Sequence, residues 1–150
     1  VWALFGVASM GACPDTSGHD SDGQTGGVPS CIEVNPADCT PLYTPTWSNV
    51  YDNTIAPRCS TKGLACHASS EARGSSGGLV MTDENRTYET LLGQTGKTMF
   101  VEPGHARCST LVVRLEIDDP DLRMPPGALP LDPSERCSIT RWIDMGATRD

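Results

Sequence analysis

Aromatic side chains are scarce in this sequence. Trp, Tyr and Phe together make up 5% of 150 residues, and hydrophobic residues of all kinds reach only 37%. Burial alone therefore gives a thin core, and cross-links or a bound apolar cofactor must close the gap. Basic residues are also few: 11 Lys and Arg stand against 19 Asp and Glu, a net charge of −8. Nothing here neutralises a phosphate backbone, which excludes nucleic acid and makes a basic protein the electrostatically suited partner. Long apolar runs are missing, since the one apolar stretch at residues 1–12 is too short to span a bilayer. No period in the range of about 20 to 50 residues recurs, which excludes a repeat architecture.

Cysteine, by contrast, is abundant. Seven cysteines in 150 residues point to an exported protein of an oxidising compartment, the periplasm or a cell surface. Residues 1–12 end in small side chains and Cys13 follows directly. This resembles the end of a bacterial lipoprotein signal peptide cleaved before Cys13, with the alternative that the stretch is an ordinary buried strand or helix. Cys13 would then carry the lipid anchor to a membrane. Residues 13–45 read as a lipid-anchored tether: Pro14 to Ser30 is rich in Gly, Ser, Asp and Thr and cannot bury enough surface to order itself. Cys31 and Cys39 bracket a short loop containing Asn35-Pro36, and their spacing predicts a local disulfide.

Residues 46–150 form the expected domain, and four helices can be read in it. Trp47, Val50, Tyr51, Thr54 and Ile55 share one helical face, and Pro57 ends the pattern. Thr82 or Asp83 caps a second helix with Tyr88, Leu91 and Leu92 on one face and Gly93 at its stop. A third is predicted from about Cys108 through Leu111, Val112 and Leu115. The fourth has Asp132 as cap, Pro133 at its first position, Glu135 reaching back, then Ile139, Trp142, Ile143 and a terminal Gly146. Asp118 to Leu131, rich in Pro and Gly, is irregular.

The first helix delivers the chain to Cys59, and Cys66-His67 follow after six intervening residues. Two thiols with an imidazole directly after the second are what covalent haem attachment uses. Met124, in the stretch Arg123-Met124-Pro125-Pro126-Gly127, offers a thioether for the other face of the iron, and the prolines restrict its loop. The stretches IAPRC and CH at 55–67, GGL at 77–79, VEPGHARCSTLVVRL at 101–115, DDPDLRMPPGALPLDPSE at 118–135 and RWIDMGA at 141–147 resemble the planctomycete type of cytochrome c-like domain found in exported bacterial lipoproteins. The resemblance covers about two thirds of the chain. It implies an all-α fold, a small helical domain with long loops, and an electron carrier holding haem c rather than an enzyme. Its carry-over makes Cys59 and Cys66 the attachment thiols and His67 and Met124 the axial iron ligands. The family places two residues, sometimes a few more, between the thiols, so the six here form a bulge that Gly63 permits. The alternative is a haem-free, disulfide-stapled surface module in which Cys59 and Cys66 close a bridge of their own.

Cysteine arithmetic suits both readings. With Cys13 lipidated and Cys31 joined to Cys39, Cys108 and Cys137 are expected to pair and brace the Met124 loop, leaving Cys59 and Cys66 for haem or for each other. His105 reads as part of a surface turn, and Met81, Met99 and Met145 as packing residues. Zinc on Cys59, Cys66 and His67 lacks a second closely spaced ligand pair. The GSSGG stretch at 74–78 reads as a flexible turn, with no helix start after it to cradle phosphate.

Overall fold

Capping side chains set the helix starts in the computed structural model, which describes residues 27–60, 65–75, 78–96, 98–126 and 130–150. The signal segment, the first part of the tether with Cys13 (residues 13–26) and Gly63 lie outside the described residues. Helix α1, Trp47–Val50, begins where the Thr46 hydroxyl accepts from the Asn49 N–H, and it continues as a π-helical segment, Tyr51–Cys59. Pro57 thus lies inside the helix rather than ending it. The wider winding, seen where the Ser60 N–H reaches the Ile55 carbonyl at 3.3 Å, accommodates a residue that has no N–H to give. Helix α2, Glu84–Leu91, is capped by Asp83, whose carboxylate accepts from the Arg86 N–H at 2.8 Å. Helix α4, Pro133–Asp144, carries the full capping box of Asp132 and Glu135 and turns out at Gly146, where φ is +103°.

Helix α3, Thr110–Glu116, starts later than its apolar pattern suggests. Ala106–Cys108 is a separate 3-10 turn, and Ser109 between the two is extended. The fully buried Ser109 hydroxyl donates to the His105 carbonyl at 3.1 Å and accepts from the Glu102 N–H at 2.8 Å, a local bonding pattern that competes with continuous helix.

Among the described residues there is no strand, and the fold is a small all-α domain with long loops. The few aromatics are concentrated where α1, α2 and α4 meet. The Trp47 ring lies 5.1 Å from Trp142 and 5.3 Å from Tyr88, centroid to centroid. The polar ends of two of these rings close on the C-terminal segment: the Tyr88 hydroxyl donates to the Ala147 carbonyl and the Trp142 indole to the Thr148 carbonyl, both at 3.0 Å. Val50, Leu91, Val112, Ile139 and Ile143, all nearly inaccessible, fill the space between the helices.

The cysteines pair otherwise than expected. Cys31 joins Cys108 and Cys39 joins Cys137, across 77 and 98 residues of sequence. Neither the local Cys31–Cys39 bridge nor a Cys108–Cys137 bridge forms, because the segment before α1 does not fold back on itself. It runs as a strap across the domain: the Ile32 N–H donates to the Arg107 carbonyl at 2.9 Å and the Leu42 N–H to the Ser134 carbonyl at 3.1 Å. Arg141 of α4 donates to the carbonyls of Ala37 and Cys39. The later part of the sequence assigned to the tether is therefore fixed to the domain. No helix among the described residues is long and apolar enough to cross a membrane.

Candidate functional site

The π-helical segment ends at Cys59, and the chain returns to it at once. The Ala65 N–H donates to the Ser60 carbonyl at 3.2 Å and the His67 N–H to the Cys59 carbonyl at 3.1 Å. Two backbone bonds thus pinch the base of the loop between the thiols, so the long spacing still places His67 beside Cys59. The other side of His67 is fixed as firmly. Its carbonyl accepts from the Met81 N–H, and its ring Nδ1 lies 2.9 Å from the Leu79 carbonyl. A carbonyl can only accept, so Nδ1 carries the proton and Nε2 keeps its lone pair. Burial lowers the pKa of the ring, chiefly by desolvation and against that same hydrogen bond. The imidazole is therefore neutral at neutral pH, the form that binds a metal, held by an outer-shell carbonyl of the usual kind.

His67, Cys59 and Met124 line one cavity of about 410 Å³, a volume within the range of small-molecule sites. Most of the remaining lining is apolar, with Leu79, Met81, Phe100, Leu111 and Leu115. Met124 is carried to the wall by α3, since its N–H donates to the Arg114 carbonyl at 2.7 Å and the Arg114 guanidinium holds the Leu122 carbonyl at 2.8 Å. Three of the four residues assigned to cofactor binding thus share a pocket. The fourth, Cys66, is buried and disulfide-bonded and is not part of the lining, whereas Cys59 is a free thiol. Cys59 and Cys66 are accordingly not bonded to each other. Burial, with help from Glu135 and against Arg58, pushes the Cys59 thiol up to about 12. It is protonated at neutral pH and is no nucleophile by itself.

A haem fits this set of donors. An imidazole residue, His67, and a thioether residue, Met124, line the same largely apolar cavity, with Cys59 in its wall as a thiol able to form a thioether. No group of three or more His, Cys, Asp or Glu side chains suited to a bare metal ion occurs among the described residues. His105 is exposed and lies away from the cavity, in the turn before the Ala106–Cys108 segment. Met81 is buried and lines the cavity, but Met99 and Met145 are exposed, at 45% and 62%, and do not pack as expected.

Two residues that support the site, Gly74 in the wall and Ser75 beside it, carried no sequence signal for that role. Gly74 sits where a β-carbon would stand 2.5 Å from the Cys66 carbonyl oxygen, so only glycine lets that turn close over the Cys66-His67 backbone. Ser75 donates to the Leu79 carbonyl at 3.1 Å, the same oxygen that orients His67. Their role depends on contacts across the turn that no local pattern encodes.

No curated protein and no solved structure matches the chain. The family model described as Planctomycete cytochrome C matches residues 64–127, a stretch that begins just before Cys66-His67 and ends just beyond Met124. Cys59 lies outside that stretch, and His67 and Met124 lie within it, so this part of the chain is similar to the planctomycete type of cytochrome c-like domain.

Proposed function

We propose that the protein is an exported c-type cytochrome that carries single electrons on a haem that His67 and Met124 would hold. The observation that carries this reading is the cavity shared by Cys59, His67 and Met124, the last two of which lie inside a stretch matching a cytochrome family. Bound haem supplies a one-electron iron couple. The chain's own residues do the rest. The Leu79 carbonyl keeps Nε2 of His67 unprotonated and oriented, the α3 carbonyl of Arg114 anchors Met124, and the apolar wall excludes water and so favours the less charged, reduced state. Cys59 is the attachment thiol in the wall; a second thioether, at Cys66, requires the Cys66 disulfide to be opened first. With His67 and Met124 both holding the iron, no position on it would be left for substrate, which is why we read the protein as a carrier and not a catalyst. The net charge of −8 suits a basic redox partner, with association slowing as salt rises.

The disulfide at Cys66 favours one other reading, a haem-free stapled module with a binding or structural role. Expression in an export-competent host that attaches haem separates the two. The cytochrome reading expects a coloured protein, a haem adduct in the intact mass, and a reduced spectrum whose methionine-ligated signature disappears in Met124→Ala. A colourless protein of unmodified mass overturns it.

A further inference from the structure

Helix α3 turns one face to the cavity, and that face is not uniformly apolar. Leu111 and Leu115 alternate there with Thr110 and Arg114, and among the described residues Arg114 is the one charged side chain in the wall. Arg114 is half-buried, and one of its guanidinium donors is committed to the Leu122 carbonyl. Among the described residues it has no carboxylate partner. Other arginines of the domain do: Arg136 meets Glu116 at 2.5 Å and Arg58 meets Glu135 at 3.3 Å. Desolvation by burial lowers the Arg114 pKa. An unpaired cation at the edge of a low-dielectric cavity is costly unless a ligand brings the anion.

We propose that Arg114, seconded by the Thr110 hydroxyl one helical turn earlier, is a carboxylate subsite that fixes the acidic edge of an otherwise apolar ring ligand. This rests on the haem reading, and it assigns the ligand's propionate groups to the α3 wall. A guanidinium keeps four further donors after its bond to Leu122, enough for a carboxylate fork. The same residue ties the Met124 loop to α3, so occupation of the subsite and placement of the distal ligand share one side chain.

The test is titration of the haem-free full chain with ferric haem and, separately, with its dimethyl ester, which keeps the ring and iron but has no carboxylate. Wild type is expected to bind the free acid about tenfold or more tightly than the ester, as one charge-assisted bond implies. Arg114→Gln should bind both forms alike, no more tightly than wild type binds the ester, while Arg114→Lys recovers part of the preference. Thr110→Val, which leaves the Leu122 contact in place, should reduce the preference without changing ester binding, and it guards against misfolding of the Arg114 variants. Equal binding of the two forms by wild type, or a preference that survives in Arg114→Gln, overturns the subsite while leaving the haem reading intact. Binding of neither form by wild type overturns the haem reading and the subsite with it.

Discussion

Gly74 shows how much a single missing atom decides at this site. A β-carbon there meets the Cys66 carbonyl oxygen at 2.5 Å and its carbon at 2.9 Å, and backbone cannot swing aside as a flexible side chain can. Gly74→Ala should therefore cost about 1–3 kcal/mol, the usual range for overpacking, and should lower haem content because His67 directly follows the displaced residue. Urea denaturation checks the first effect and absorbance per protein mass the second. Gly27→Ala, with nothing within 4 Å, is the control and should change neither. Tyr43 makes a pH-dependent case. Its hydroxyl lies 2.6 Å from the Thr54 hydroxyl, and burial is the chief cause that raises its pKa above the ordinary value of 10.0. The folded protein thus holds this proton more tightly than the unfolded chain does. Stability is unaffected below pH 10.0 and falls as pH rises from there through the raised folded value. Alkaline denaturation curves should accordingly fall less steeply in Tyr43→Phe than in wild type, and identical slopes would show that the phenol is not the group responsible.

At the scale of elements, α4 is the clearest case of a helix specified by its own ends. Asp132 accepts from the Ser134 N–H at 2.8 Å and its own N–H donates to Glu135 at 3.2 Å, while Glu135, 4% exposed, also takes Arg58 from the end of the π-helical segment. Asp132→Ala should destabilise the domain by about 1 kcal/mol and Asp132→Asn by much less, measured by chemical denaturation. Such caps are local, which is why α2 and α4 were legible in the sequence almost to the residue. The remaining helices were less so, for reasons outside their own apolar pattern. Pro57 ends an α-helix by rule, but here a widened turn absorbs it. Ser109 breaks the predicted third helix because its buried hydroxyl finds Glu102 and His105, a choice that depends on burial rather than propensity. The site divides in the same way. His67 and Met124 were legible because their chemistry is carried by residue type and order. Leu79, Ser75 and Gly74 were not, since two of their contributions pass through backbone atoms that every residue has.

The disulfides belong to the whole molecule, and they explain how so thin a core is held. Sequence spacing favours the shortest bridge, but pairing is settled by where the strap lies, and Arg141, Ser138 and Arg107 carry it across α4 and past the Ala106–Cys108 turn. The bridges then close loops of 77 and 98 residues instead of 8 and 29. In the chain-entropy account a loop near 100 residues contributes about 4 to 5 kcal/mol, somewhat more than a short one, and the two are not additive because the loops overlap. Among the described residues the strap contributes nothing to the cavity wall, whose lining runs from Cys59 to Met124. Removing the second bridge with Cys39→Ala and Cys137→Ala together should therefore separate stability from site. The unfolding midpoint in urea is expected to fall by the equivalent of about 3 to 5 kcal/mol, and amide exchange at Leu42 and Tyr43, whose N–H groups rest on Ser138, should quicken. In the haem-loaded protein the reduced spectrum should stay as it is in wild type. A spectrum that changes with the bridge would mean that the strap, through α4 and the Arg58–Glu135 contact beside Cys59, helps to set the position of His67 after all.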